Sequence, residues 1–280
     1  MPSPRPPLYA FAHVPKAGGT TLADLLRQHF GARLIGVHYR GETPVYTARD
    51  LERDLRVYPF AQCITGHSLK PYVDFSSVPR ELRWFTVLRE PVARFISHYQ
   101  HQYDRSEPQY RLPFDEWMRT YNRRNWTVRM IAGEEDVEAA KQILGERFAF
   151  VGLLDRFEES LLLLRERLGL RGFDVDFGAP SNAAPKTAVQ KKVRANMDDF
   201  ADAIREQNRL DLELYAWVRD TLWPAQVAEY GAERLAADLA STFGRGDGPT
   251  LPQAARRWQY LAYRNLVYKP YLRLERAVSA

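Results

Sequence analysis

Behind a proline-rich lead, the chain opens on a short apolar run, Leu8-Tyr-Ala-Phe-Ala12, that ends at His13-Val-Pro15. A run this short and this apolar reads as a buried strand. Small residues follow, Lys16-Ala-Gly-Gly-Thr-Thr21, and then Leu22, Leu25 and Leu26 recur at helical spacing. The same order returns later. Arg83-Trp-Phe-Thr-Val-Leu88 is a second strand, and it runs through Arg89-Glu-Pro91 into a helix reaching Tyr99. Pro91 suits the first helical turn, where its missing N–H would have no partner. Between the two units, Cys63 and Ile64 end another strand, and Gly66 opens a turn that presents His67. Residues 148–154 form a further strand, and residues 158–168 an amphipathic helix with Leu161, Leu164 and Leu168 toward the core. Residues 114–121, 125–132 and about 197–217 read as helices around the sheet. The pattern predicts an α/β fold with a central parallel sheet flanked by helices.

A strand, a glycine loop and a helix start together make an anion site, because backbone N–H groups converge there and the positive end of the helix dipole faces the loop. Lys16 adds a full charge, and Thr20 and Thr21 add hydroxyls. The nucleotide P-loop sets its Lys and Ser/Thr directly after the last glycine. Here Lys16 precedes Gly18 and Gly19, and no metal-holding residue stands at the matching place. The plain alternative is a tight turn that binds nothing. Arg89 falls at the carboxyl end of a strand, where open α/β sheets bind ligands. Ser97 lies six residues past Pro91, roughly 9 Å up the helix. Taken singly, these are a surface ion-pair partner and a neutral helix residue. Taken with the Lys16 loop, they read as a second phosphate site.

Val14-Pro-Lys-Ala-Gly-Gly-Thr-Thr21 and Val87-Leu-Arg-Glu-Pro-Val-Ala-Arg-Phe-Ile-Ser-His-Tyr99 resemble the two cofactor motifs of PAPS-dependent sulfotransferases, the 5′-phosphosulfate loop and the 3′-phosphate motif. The resemblance is strongest to the carbohydrate branch containing heparan sulfate 2-O-sulfotransferase, and it spans about residues 8 to 223. It implies the P-loop-NTPase-like sulfotransferase fold. It also implies transfer of a sulfuryl group from PAPS to a hydroxyl, above all on a carbohydrate, with adenosine 3′,5′-bisphosphate as product and no metal. Lys16, Ala17, Gly18, Gly19, Thr20, Thr21, Arg89 and Ser97 would hold the donor, with Lys16 also opposing charge on the leaving oxygen. His67 inherits the role of catalytic base, although Thr65 stands where that branch often has another histidine. A basic loop over residues 181–192 would close on the nucleotide through Lys186 and Thr187. Two readings stand beside this one: an ATP- and Mg²⁺-dependent small-molecule phosphotransferase, and a non-catalytic sulfoglycan-binding protein of the same fold.

Composition changes this picture little. With 280 residues, 45% hydrophobic and 27% charged, the chain is ordinary for a globular protein. A net charge of +5 suits anionic substrates, and no nucleic-acid motif accompanies it. The six histidines and one cysteine show no metal-ligand spacing. A single Cys63 excludes an intrachain disulfide and favours a reducing compartment, so the expected location is cytoplasmic. Residues 1–7 lack the apolar stretch of a signal peptide, and no run approaches a membrane span of about 20 apolar residues. Arg119, Arg123, Arg124 and Arg129 form either a groove for an anionic sugar or a solvated face. The expected organisation is a flexible N-terminus (1–7), a sulfotransferase domain (8–243), a linker (244–252) and a basic aromatic helical tail (253–280). That tail would lie on an anionic membrane, on a partner, or on its own domain.

Overall fold

The structure, a computed structural model, describes residues 6–40, 43–121, 124–178, 199–244 and 249–279. Five strands pair in the order β2-β3-β1-β4-β5. They are β1 (Leu8–Ala12), β2 (Leu34–Gly36), β3 (Cys63–Gly66), β4 (Leu82–Leu88) and β5 (Phe148–Leu153). Every pair is parallel, with Tyr9 of the central strand opposite Cys63 on one side and Arg83 on the other. Helices cover both faces of such a sheet, which is why its inner strands are apolar throughout rather than alternating. Leu8, Ala10, Phe11 and Ala12 are buried, as are Phe85, Val87 and Leu88. This is the α/β architecture that the strand and helix pattern predicts.

After β1 the chain crosses by α1 (Gly19–Phe30) toward β2 on one side of the sheet, and α2 (Ala48–Val57) follows between β2 and β3. After β4 it continues through α3 (Pro91–Arg105) toward β5 on the other side. The direction of winding therefore reverses between neighbouring β1 and β4, and a crevice opens outside their carboxyl ends. Leu22, Leu25, Leu26 and Phe30 hold α1 against the core, and Gly31 ends the helix with a φ of +56°.

Both edges of the sheet are covered. On the β5 side, Gln226 accepts from the Val151 amide and donates to the Val151 carbonyl, taking the place of a sixth strand. On the β2 side, the C-terminal helix Leu251–Tyr263 runs past α1 and the 31–33 turn and continues through a π-helical turn over Arg264–Tyr268 into a last helix, Lys269–Ser279. Tyr260, Tyr268 and Leu272 of this segment are buried against the domain. The helix expected over about 197–217 is instead two, Ala201–Gln207 and Arg209–Trp217. Asn208 divides them: it is fully buried, its side-chain amide donates to the Ile204 carbonyl, and its oxygen accepts from Arg94. Beyond residue 217 the chain still contributes to the core through Trp223, Tyr230 and Leu235.

Candidate active site

The loop leaving β1 is built under steric constraint. Lys16 sits in the left-handed region at φ +66°, a conformation shared among described non-glycine residues only by Asn125. Such a backbone costs about 1–3 kcal/mol and is kept where the surroundings hold it. Gly18 is also left-handed, at φ +77°, and a Cβ there would stand 2.5 Å from Leu154 Cδ1 at the end of β5. Gly19 opens α1, and a Cβ on it would lie 1.9 Å from His13 Nε2. Each glycine is fixed by a neighbour as well as by the turn.

The two helices that point into the crevice differ at their N-termini. Glu90 caps α3, its carboxylate accepting from the Val92 and Ala93 amides at 3.0 and 2.7 Å. The N-cap of α1 is Gly18, which offers no side-chain acceptor. A capped helix has its leading amides satisfied, whereas an uncapped one presents them to a ligand. The helix start left open to an anion is therefore that of α1.

Cations converge on the same loop. Arg89, one residue beyond β4, donates from Nη1 to the Lys16 carbonyl at 3.2 Å, bridging the two sides of the crevice. Burial pushes the Lys16 ammonium below its ordinary value, with the charges of Arg89 and Arg105 adding to the shift and Asp104 opposing it. Lys16 makes no ion pair among the described residues. A half-buried ammonium beside two guanidinium charges is relieved by an incoming anion. Thr20 is exposed at this helix start, whereas Ala17 and Thr21 are buried beneath it. Ser97 is half-buried on α3.

His67 stands exposed at the end of β3, and its Nδ1 lies 2.8 Å from the His13 carbonyl oxygen. A carbonyl can only accept, so Nδ1 carries the hydrogen, and in the neutral ring Nε2 is left with its lone pair available. The two imidazoles lie 4.2 Å apart, and the His13 ring also stacks on Phe11. Burial, followed by the charges of His67 and Arg27, pushes His13 down to about 3, so it stays neutral beside its neighbour. The arrangement can accept a proton at His67 Nε2 and hold an anion between Lys16 and the α1 amides.

Over residues 8–217 the sequence matches the Sulfotransferase family. The chain belongs to that family. The matched stretch contains all five strands and both loops of the crevice, and the chemistry of the family is sulfuryl transfer, for which it generally uses PAPS. No curated protein matches the sulfotransferase chain.

The structure thus joins Lys16 to Arg89 and sets His67 at a neighbouring strand end. Lys186 and Thr187 lie outside the described residues, as does Arg123. Of the other arginines read as either a sugar groove or a solvated face, Arg119 pairs with Asp115 and Arg124 with Glu135, while Arg129 is exposed. Sequence reasoning gave His13 no positioning role. Its only signal was its place, at the carboxyl end of β1 just ahead of the glycine loop.

Proposed function

We propose that this sulfotransferase moves the sulfuryl group of PAPS to a hydroxyl of a carbohydrate acceptor, with His67 as general base and Lys16 opposing charge on the leaving phosphate. The observation that supports this reading best is the His67 Nδ1 contact with the His13 carbonyl, which leaves Nε2 as the proton acceptor. In the reaction the acceptor oxygen bonds to sulfur and its proton passes to Nε2. The bond from sulfur to the bridging oxygen breaks, and adenosine 3′,5′-bisphosphate departs. Lys16 and the uncapped amides of α1 face the charge that grows on that phosphate. Arg89 and Ser97 take the 3′-phosphate, Ala17 to Thr21 wrap the 5′-phosphate, and Lys186 and Thr187 close over the nucleotide. The carbohydrate acceptor follows from the resemblance of the two motifs to the branch containing heparan sulfate 2-O-sulfotransferase. Residues 8–243 make the catalytic domain, a short linker leads to the tail helix that begins at Leu251, and the lone Cys63 fits a cytoplasmic setting.

Calorimetric titration with adenosine 3′,5′-bisphosphate, in the presence of a chelator, tests the donor assignment. Binding without divalent metal, and tighter than ATP, is the expected result. Binding of ATP that requires Mg²⁺ would instead establish a phosphotransferase. Donor binding with no transfer to any of a panel of labelled sugars, glycolipids and polysaccharides would leave a sulfoglycan-binding protein.

A further inference from the structure

A helix that lies on its own domain ordinarily turns a polar face to water. The C-terminal helical segment turns outward a face in which large apolar side chains stand among the polar ones. Its inward side is apolar, with Tyr260, Tyr268 and Leu272 buried, yet its outward side carries Leu251, Trp258, Leu266 and Leu274 at 88, 71, 77 and 67% exposure. Val267 is exposed beside them. Five of the eight large apolar side chains exposed among the described residues therefore stand on this one segment. A sixth, Phe60, packs edge-on against its Tyr263 at 5.3 Å.

The charge is distributed in the same uneven way. Residues 251–279 hold six basic residues, Arg256, Arg257, Arg264, Lys269, Arg273 and Arg276, against a single acid, Glu275. The segment accounts for the whole formal net charge of +5 that the chain carries. Its one acid is occupied inward, accepting from Arg40 at 2.6 Å. Arg257 and Arg273 are exposed beside Trp258 and Leu274. Apolar side chains with a tryptophan among them, flanked by arginines, match the interfacial zone of a bilayer bearing anionic headgroups. A second copy of the chain fits less well, because two such helices face to face would oppose like charges.

We infer that the outer face of the 251–279 helical segment docks the protein on an anionic lipid surface. The inner face fixes the helix to the domain, through the Tyr268 hydroxyl on Asp54 and the Tyr263 hydroxyl on the Val57 carbonyl, so docking needs no unfolding. This inference does not depend on the sulfuryl-transfer reading.

Vesicle co-sedimentation with the full chain tests it, comparing phosphatidylcholine alone with phosphatidylcholine containing phosphatidylglycerol. Binding is expected only with the anionic lipid and should weaken as salt is raised. Arg257→Gln with Arg273→Gln should weaken it about fivefold for each charge removed. Trp258→Ser with Leu266→Ser should weaken it by more than about tenfold. All four side chains are exposed, and circular dichroism checks that each variant keeps its fold. Equal binding to uncharged vesicles, no binding to either, or anionic binding indifferent to both variants would overturn the inference. So would sedimentation velocity showing a dimer that the Trp258→Ser/Leu266→Ser variant dissociates, which would assign the face to a second copy.

Discussion

The Lys16 loop and the Asp54 cluster both withdraw charge from water, and they are completed differently. Asp54 is fully buried and surrounded by donors: the Tyr46 and Tyr268 hydroxyls at 2.7 and 2.6 Å on one oxygen, and Arg40 at 2.6 Å on the other. Arg40 reaches on to Glu275, so the cluster ties the segment around β2 to the C-terminal helix. Burial raises the Asp54 carboxyl, and bonds from Tyr268, Arg40 and Tyr46 offset only part of that rise. Around Lys16 the charges run the other way, with an ammonium lowered by burial and by neighbouring cations, next to a helix start without a cap. A buried pair with every partner present holds elements together, and losing one partner is costly. A loop of cations and open amides gains most when an anion enters it. One cluster is finished within the protein; under the proposed function the other is finished by its ligand.

The contrast predicts that changes at His67 and Arg89 alter catalysis or donor binding and spare stability, and that changes at Asp54 do the reverse. The largest effect is expected at His67. His67→Ala should lower kcat by roughly 10²–10⁴-fold, the usual range for loss of a general base, with the affinity for adenosine 3′,5′-bisphosphate and the melting temperature nearly unchanged. Single-turnover transfer and calorimetry measure the two sides. Near-normal turnover would move the base elsewhere, and His101, which burial and the charge of Lys16 lower, would be tested next.

Asp54→Ala sharpens the comparison from the other side. It leaves Arg40 without its deepest partner and two tyrosine hydroxyls without an acceptor, a loss of about 3–5 kcal/mol by analogy with other broken buried pairs. Denaturant unfolding should show this loss, while turnover per folded molecule holds. A variant of wild-type stability would remove the clamp role.

Arg89→Ala should weaken adenosine 3′,5′-bisphosphate about ten- to hundredfold, as one charge-assisted contact is worth about 1.5–3 kcal/mol. Adenosine 5′-phosphate should lose much less. Arg89 also bonds the Lys16 carbonyl, so an equal loss for both ligands would mean that it supports the loop rather than reading the 3′-phosphate.

What the sequence reveals of each region follows from where its partners lie. The Lys16 loop is local: strand, small residues and helix start are contiguous, so the strand-loop-helix turn can be read along the segment from Leu8 to Leu22. The places of Arg89 and His67 were legible for the same reason, each standing next to a recognisable strand end. The Asp54 cluster was not, because Tyr46, Asp54, Tyr268 and Glu275 come together only across more than two hundred residues of chain. The positioning of His67 by His13 was hidden in the same way, since a backbone carbonyl has no sequence signature. Asn208 divided an expected helix because a buried side chain found backbone and Arg94 partners, which propensity does not foresee.

The smallest predicted effect separates the two regions by pH. His13 is pushed down to about 3 in the folded protein, mainly by burial, whereas a free histidine titrates near about 6.5. Above that value the ring is neutral in both states and stability is complete. As pH falls from there toward about 3, only the unfolded chain takes up the proton, so stability is lost. His29, pushed down to about 4 by burial and by Arg256 and Arg33, adds a loss of the same sign. Asp54 works in the opposite sense, because its raised carboxyl protonates first in the folded state. Melting temperatures taken from pH 7 to pH 4 should therefore decline for the wild type and decline less for His13→Asn, with the His29 share remaining. If the slope of His13→Asn equals that of the wild type, the crevice histidine is not held neutral by its surroundings. The pairing of a neutral His13 with His67 at the strand ends would then need another explanation.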